Sequence, residues 1–134
     1  MLGKEIWRTC WYNNKEYKDY KVSNWGRIKR VYKTKEKILK PWKCTSGYYM
    51  VTFCIKGVKT VCLVHRLVAN AFIPNVGGYY KEVDHRNTIR TDNILENICW
   101  VTSIGNQYNP LTHARKKANG NNDIWNKGRK RNEI

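Results

Sequence analysis

Apolar and polar residues alternate through the first half of the chain, a pattern typical of β-strands. The segment "YKVSNWGRIKRVY" alternates around Val22, Ile28 and Tyr32, and the Asn and Gly of "SNWGR" favour a turn within it. "KILKP" and "YYMVTFCIKGVKTVCLV" continue the alternation, with Lys56 and Gly57 as the predicted turn of a hairpin. We therefore expect a twisted antiparallel sheet in the N-terminal part of the chain.

The spacing changes to that of a helix in "LVHRLVANAFIPN". Pro74 is expected to end this helix. His65, near its start, is interpreted as a capping or core-edge histidine in preference to a chemically active one, and the neighbouring Arg66 could reach a phosphate. The apolar stripe recurs at helical intervals, at Leu63, Leu67, Val68, Ala71 and Phe72.

Two strands joined by a long loop are predicted next, in "EVDH" and "NICWVT", with "RNTIRTDNILE" between them. Thr102 or Ser103 is a suitable N-cap for a short helix that would carry Asn106. Beyond Pro110 the chain is polar and basic, and we expect an arm that becomes ordered on a partner, with Trp125 as its large anchor. The expected fold class is mixed α+β, and the predicted divisions are residues 1–62, 63–110 and 111–134.

Length and hydropathy limit the class of protein. A chain of 134 residues with 41% hydrophobic residues can build one modest core. No run of about 18 apolar residues occurs, and the start "MLGKEIW" lacks the apolar stretch of a signal peptide. We therefore expect a cytoplasmic protein with no membrane partner.

Charge indicates a polyanionic partner. Lys and Arg number 26 against 10 acidic residues, giving a net charge of +16. Residues 1–62 carry 15 basic and 4 acidic residues, residues 63–110 carry 4 of each, and residues 111–134 carry 7 and 2. Because Trp25, Tyr32 and Trp42 interleave with the basic residues, nucleic acid is favoured over a merely solvated basic surface.

The cysteines are odd in number and include no CxxC pair, which argues against a structural zinc site. Cys54 and Cys62 lie within apolar segments, where a free thiol packs as a small apolar group. We expect buried, reduced cysteines, because a zinc site would need ligands from distant segments. The five are Cys10, Cys44, Cys54, Cys62 and Cys99.

Asp84 and His85 are the candidate chemical residues. They are adjacent on a predicted strand and point to opposite faces, and the following helix could bring Asn106 beside Asp84. Carboxylate and amide oxygens suit magnesium or manganese, and a histidine with a reference pKa of about 6.5 is mostly neutral near pH 7 and can accept a proton. A metal and a base beside a basic surface suit phosphodiester hydrolysis. An amide-rich turn loop without chemistry is the alternative.

These segments resemble a known family. "VDHRNTIRTDNILENICWVTSIGNQ" resembles the HNH nuclease motif, the ββα-metal finger, in the variant of phage and intron-encoded homing endonucleases where Asn replaces the final His. "VHRLVANAFIPN" looks like the helix before this finger. "EIWRTCWYNNKEYKDYKVSNWGRIKR" is similar to the NUMOD4-like DNA-binding module that often precedes HNH domains. The resemblance covers roughly residues 5–109.

The resemblance implies roles for particular residues. Asp84 and Asn106 would be ligands of a divalent metal, Mg²⁺ or Mn²⁺, and His85 would be the general base. Asn97 would brace the finger and orient His85. Asp84 replaces a frequent Asn of the family and favours a stronger metal site. Thr88 stands where many relatives have Gly, so we expect the loop to turn differently.

The implied function is a metal-dependent, site-preferring DNA endonuclease that binds double-stranded DNA. One Asp84–His85 pair per chain favours a monomer on DNA and a nick in place of a double-strand break. A DNA-binding regulator with a non-cleaving finger is the alternative, and an RNA-binding protein with stacked aromatics is a weaker third interpretation. Loop charges at Arg86 and Arg90 could instead be only solvated. The predicted DNA contacts are Arg27, Lys29, Arg30, Lys33, Arg66, Arg86 and Arg90.

Overall fold

The computed structural model describes residues 3–75, 78 and 80–102. In this part the chain forms strands that pair in antiparallel fashion, one α-helix and one turn of 3-10 helix, Leu95–Asn97. The α+β class predicted from the sequence is therefore confirmed. In chain order the elements are β1 (Trp7–Tyr12), β2 (Lys15–Ser23), β3 (Ile28–Val31), β4 (Glu36–Ile38), β5 (Trp42–Lys43), β6 (Tyr49–Ile55), β7 (Val58–Leu63), α1 (Val64–Phe72), β8 (Glu82–His85) and β9 (Ile98–Val101).

Two-residue turns close the two long hairpins. Asn13 and Asn14 join β1 to β2 with φ angles of 51° and 64°, and Lys56 and Gly57 join β6 to β7 with φ angles of 50° and 81°. Positive φ at both central residues is the geometry that matches the twist of paired strands. The hairpin turn predicted at Lys56 and Gly57 is present.

The N-terminal part contains two sheets, where the sequence led us to expect one. Strands β1 to β4 pair in chain order in the first sheet, and β5 to β7 pair in the second. Pro41 lies between β4 and β5. It has no N–H group to donate to a neighbouring strand, which explains why strand pairing stops here. A third, two-stranded sheet consists of β8 and β9.

The first two sheets meet through an aromatic contact. The rings of Tyr20 and Phe53 stack with centroids 4.0 Å apart and planes inclined by 22°. The backbone N–H of Cys54 donates to the Tyr20 hydroxyl at 2.9 Å, and both rings are almost fully buried. Burial of each large side chain stabilises the fold by roughly 1.5–3 kcal/mol.

Helix α1 begins at Val64, one residue later than its apolar stripe predicted, because Leu63 is the last residue of β7. Leu67, Val68 and Ala69 are buried, and Pro74 follows the end of the helix as expected. The indole Nε1 of Trp100 donates to the Ile73 carbonyl at 3.0 Å, which ties this helix end to β9.

One buried cluster joins the segments on both sides of residue 63. Tyr20 and Phe53 contribute from the N-terminal sheets, Leu67 from α1, and Val83 and Ile98 from the β8–β9 hairpin. The predicted division after residue 62 falls within β7, one residue before its end, and packing continues across it. No helix in the described ranges is long and apolar enough to cross a membrane.

All five cysteines are free thiols. Cys10 and Cys62 are fully buried, and burial raises the pKa of both thiols, that of Cys62 to about 12. The expectation of burial holds fully for these two, whereas Cys44, Cys54 and Cys99 are half-buried. The cysteines therefore act mainly as small packing groups.

Candidate active site

The β8–β9 hairpin carries the two candidate chemical residues. Asp84 and His85 are the last two residues of β8 and pair in register with Cys99 and Ile98 of β9. Side chains alternate across a strand, so the carboxylate and the imidazole leave the hairpin on opposite faces. Both are buried, at 4% and 3% exposure.

A side-chain hydrogen bond to Asn93 fixes the imidazole of His85. Its Nε2 atom lies 2.9 Å from the Oδ1 atom of Asn93, which is also buried. An amide oxygen can only accept, so Nε2 carries the proton and Nδ1 keeps the lone pair. Burial lowers the pKa of His85, opposed by the Asn93 hydrogen bond and by the charge of Asp92. The ring is therefore neutral near pH 7 and has one nitrogen able to accept a proton.

Two aromatic side chains lie against the His85 ring. The His65 centroid is 5.0 Å away and the Tyr48 centroid 5.8 Å away, and these two rings are 4.9 Å from each other. Burial lowers the pKa of His65 to about 3, with smaller effects from His85 and Arg66. His65 is thus a neutral packing partner of His85, more deeply buried than the core-edge position predicted for it.

Asn97 organises the loop between the two strands. Its Oδ1 accepts from the backbone N–H of Asn87 at 2.9 Å, and its Nδ2 donates to the Asp92 carbonyl at 2.8 Å. The Asn87 side chain also donates to the Asp92 carboxylate at 2.7 Å. These contacts brace the loop, but the amide that contacts the His85 ring is Asn93. Asn97 thus contacts the backbone around the loop, and its role in orienting His85 stays a prediction.

Thr88 adopts a conformation that normally favours glycine. Its φ angle is 64°, its backbone N–H donates to the His85 carbonyl at 2.8 Å, and its hydroxyl donates to the Asn87 carbonyl at 2.6 Å. We expected the loop to turn differently because Thr replaces Gly. That expectation stays a prediction; Thr88 itself adopts a left-handed conformation, and its β-branched side chain carries the strain.

The donor chemistry around Asp84 fits a hard cation. A buried carboxylate on a rigid strand is the type of ligand that magnesium uses, often with only one or two carboxylates and several waters or phosphate oxygens. Within residues 3–75, 78 and 80–102, no group of three or more His, Cys, Asp or Glu side chains could hold a metal ion by itself. Asn106, the second predicted ligand, lies outside the described residues.

The residues predicted to contact DNA on the N-terminal sheet have different environments. Arg27 pairs with Glu5, its Nε lying 2.8 Å from the carboxylate, and Lys29 pairs with Glu36 at 3.0 Å. Lys33 is exposed between β3 and β4.

Arg30 and Lys29 also contact aromatic rings of this sheet. The Arg30 guanidinium lies 4.9 Å from the Tyr32 ring and 5.2 Å from the Tyr20 ring, and the Lys29 ammonium lies 4.2 Å from the Trp7 ring. Basic groups and aromatics therefore interleave on this sheet, as the sequence predicted.

The remaining predicted DNA contacts lie nearer to the hairpin. Arg86 is exposed directly after His85. Arg66 donates to the Lys81 carbonyl at 3.2 Å. Arg90 donates to the Ser46 carbonyl at 2.6 Å, and its guanidinium lies 5.2 Å from the Tyr48 ring. Arg90 therefore fastens the loop to the turn that carries Tyr48.

Sequence analysis missed Asn93 and Tyr48 as parts of this site. Tyr48 is distant along the chain, and no sequence signal connects it with His85. Asn93 was one amide among many in an asparagine-rich loop. Its position eight residues after His85 became informative only when the loop folded back onto the strand.

A ββ hairpin with a buried Asp–His pair, preceded by a helix and by a basic antiparallel sheet, defines the class of HNH-type nuclease domains. Residues 5–54 match the family model described as the NUMOD4 motif, and residues 62–108 match the model described as HNH endonuclease. The chain therefore carries a NUMOD4 module followed by an HNH endonuclease domain.

Individual relatives agree with this assignment. Two curated proteins described as uncharacterized HNH endonucleases of Acanthamoeba polyphaga mimivirus are similar to the chain. One is 29% identical over 101 residues, covering 75% of this chain and 29% of the relative. The other is 34% identical over 104 residues, covering 76% and 25%. The chain thus spans less than a third of the length of the curated relatives it matches.

A solved structure is also similar. The structure describing DNA binding and cleavage by the HNH homing endonuclease I-HmuI matches with a TM-score of 0.68 and 28% identity, over 90% of this chain and 68% of that chain. The predicted resemblance to HNH homing endonucleases is therefore confirmed.

Proposed function

We propose that this chain is a divalent-metal-dependent DNA endonuclease that hydrolyses a phosphodiester bond at a preferred site in double-stranded DNA. The observation that carries the proposal is the hydrogen bond between His85 and Asn93, next along the strand to the buried carboxylate of Asp84. It leaves Nδ1 of a neutral imidazole able to accept a proton from water. The relationship to I-HmuI, for which DNA binding and cleavage are described, supports the same reaction class.

The reaction requires one proton acceptor and stabilisation of charge. His85 Nδ1 takes a proton from water, the water oxygen forms a bond to phosphorus, and the bond from phosphorus to the 3′ oxygen breaks. Because His85 is only 3% exposed, the attacking water has to be held within the site. Asp84, with Asn106 as the predicted second ligand, would hold Mg²⁺ or Mn²⁺. Such an ion supplies positive charge that stabilises the charge developing on phosphate oxygens.

We propose that a single chain grips DNA and cuts one strand. The basic residues of the first sheet, among them Arg30, and the exposed Lys33 after β3 supply electrostatic attraction to the phosphate backbone. The strands of a duplex run antiparallel, so one fixed site is oriented for in-line attack on only one of them. A nick is therefore the expected first product.

Cleavage of a selected target tests this function. The metal-free protein is used to recover bound duplexes from a randomised pool, and these are cloned into supercoiled plasmid. With Mg²⁺ the parent should convert the plasmid to open circles before any linear form appears, and EDTA should stop the reaction. His85→Ala should bind the same DNA and cleave it about 10²–10⁴-fold more slowly.

Other outcomes have distinct meanings. Immediate linear product with a dimer on DNA would contradict the nicking monomer while leaving hydrolysis intact. Tight, selective binding without cleavage in any divalent metal would instead favour a DNA-binding regulator. Equal cleavage by parent and His85→Ala would contradict His85 as the base.

A further inference from the structure

The turn that follows β2 touches the loop that holds the His85 ring. This turn, residues 23–27, lies within the segment matched by the NUMOD4 model, whereas Asn93 and His85 lie within the segment matched by the HNH model. A Cβ atom added to Gly26 would lie 2.7 Å from the backbone oxygen of Asn93 and 3.1 Å from its Cβ. Only a residue without a side chain fits at this contact.

A hydrogen bond extends the same contact by one step. The backbone N–H of Leu95 donates to the Asn24 carbonyl at 2.9 Å. The 23–27 turn therefore meets the loop at residues 93 and 95, on both sides of residue 94. The backbone of Asn93 packs against the turn here, and its side chain reaches His85 at 2.9 Å.

The 23–27 turn is itself tightly held. The buried Ser23 hydroxyl accepts from the backbone N–H groups of Trp25 and Arg27 at 3.1 and 3.2 Å. The Asn24 side chain accepts from the Ile6 N–H at 2.7 Å and donates to the Lys4 carbonyl at 3.1 Å. These hydrogen bonds hold the turn in place, so the turn is a rigid surface for Asn93.

We propose that the 23–27 turn positions the His85 ring by fixing Asn93, so that the N-terminal module takes part in building the chemical site as well as in binding DNA. The proposal rests on the proposed function for its catalytic consequence. Its structural content is independent of that function: Asn93 is a positioning residue that selects the ring orientation and the Nε2-protonated form of His85. Gly26 and Asn24 act through Asn93 and touch no reacting atom.

Gly26→Ala is the direct test, and the chain offers a matched control. Gly26 has a φ angle of +85°, and Gly57, in the β6–β7 turn, has a φ angle of +81° with no heavy atom within 4 Å of an added Cβ. Alanine at either position carries the same backbone strain. Only at residue 26 does it also displace Asn93, so the difference between the variants reports the contact itself.

Two readouts separate positioning from catalysis. The first is the ¹⁵N NMR spectrum of the histidine rings in the full-length chain, which identifies the protonated nitrogen; three histidines are present and can be assigned by substitution. The second is the single-turnover cleavage rate alongside DNA affinity. We expect Gly57→Ala to match the parent in both readouts. Gly26→Ala should lose the NMR signal of Nε2-protonated His85 and should cleave about 10²-fold more slowly, with nearly unchanged DNA affinity.

Substitutions at Asn93 provide a second, independent arm. Asn93→Leu removes the acceptor with little change of volume and should give the same two losses. Asn93→Asp restores an acceptor oxygen and should recover the Nε2-protonated form and part of the rate. A purely structural role would show equal losses in stability and rate for both Asn93 variants.

Each outcome decides the proposal. A parent-like His85 signature in Gly26→Ala would overturn it, as would equal rate losses in Gly26→Ala and Gly57→Ala. If the parent itself cleaves no DNA with Mg²⁺, the proposed function fails, and the NMR comparison still decides whether the turn positions His85.

Discussion

The rings of His65 and His85 lie in contact, with centroids 5.0 Å apart and planes inclined by 59°. Residue 65 is in the first turn of α1, and residue 85 ends β8, so this contact joins the helix to the hairpin. Within the described part of the chain, His65 Nδ1 is buried without a hydrogen-bond partner. A protonated His65 would bring a positive charge against the His85 ring, which has to stay neutral to accept a proton.

Stability should fall in mild acid because of His65. Its pKa is about 3 in the folded chain, against an ordinary value of 6.5. The unfolded chain therefore binds the proton first, and the free energy of unfolding should fall as the pH drops from about 6.5 towards 3, by an amount on the order of a few kcal/mol. His65→Phe keeps an aromatic ring and cannot titrate, so it should flatten this dependence.

Urea unfolding of the parent and of His65→Phe between pH 7 and pH 4 measures the effect. The two stabilities should diverge as the pH falls, with the parent losing more. His85 is present in both proteins, and its lowered pKa acts in the same direction, so the difference between the curves isolates His65. Parallel curves would show that His65 is not held neutral.

Thr88→Gly should stabilise the fold. A left-handed conformation costs an ordinary L-residue about 1–2 kcal/mol, and glycine removes this cost. Glycine also loses more conformational entropy on folding than threonine does, which offsets part of the gain. The hydroxyl contact with the Asn87 carbonyl is also lost. We expect a net gain of about 0.5–1 kcal/mol, or a rise in Tm of roughly 2–5 °C.

Asn14→Gly is the matched control for this substitution. Asn14 has the same φ angle of 64°, but asparagine tolerates this region. Its Tm should change little in the same calorimetric scan. A larger gain at residue 14 than at residue 88 would contradict the idea that the Thr88 side chain is strained.

Asp84→Asn should weaken the binding of the metal that cleavage needs without abolishing it. The variant keeps an oxygen ligand at the same position of β8 but loses its negative charge, which hard divalent cations favour. We expect the Mg²⁺ concentration for half-maximal cleavage to rise about tenfold or more. DNA affinity measured without metal should stay within about twofold, since Asp84 is buried.

Asp84→Ala completes this series by removing the ligand. It should give no cleavage at any Mg²⁺ concentration that supports the parent. An unchanged Mg²⁺ dependence in Asp84→Asn would place the cation elsewhere.

Lys33 should contribute to the salt dependence of DNA binding. It is exposed between β3 and β4 and directly follows Tyr32, whose ring contacts the Arg30 guanidinium. Each phosphate neutralised on duplex DNA adds about −0.9 to the log–log slope of affinity against salt. Lys33→Ala should make the slope less steep by about this amount. Lys33→Arg keeps the charge and should leave the slope unchanged. A slope equal to that of the parent in Lys33→Ala would remove Lys33 from the DNA contacts.

Local pattern alone was sufficient for the elements that carry the site. The alternation in "EVDH" depends only on adjacent residues, so strand β8 was predictable from sequence. The same holds for the tight turn at Lys56 and Gly57 between β6 and β7. The stripe around Leu67 and Val68 likewise predicted α1, with an error of one residue where β7 passes directly into the helix. The excess of basic residues among aromatics needed no folding to be recognised.

Tertiary structure decided which of the many amides acts on His85. Asn93 and Asn97 have the same chemistry and lie four residues apart in one loop. Their roles separate because the loop folds over β8, bringing one amide to the ring and the other to the backbone. Gly26 and Tyr48 reach the same site from strands and turns far away in the chain. Hydrophobic periodicity, charge and secondary-structure propensity describe residues that are neighbours in sequence. The contacts that fix a reactive ring depend on packing between distant segments, and only the folded structure specifies that packing.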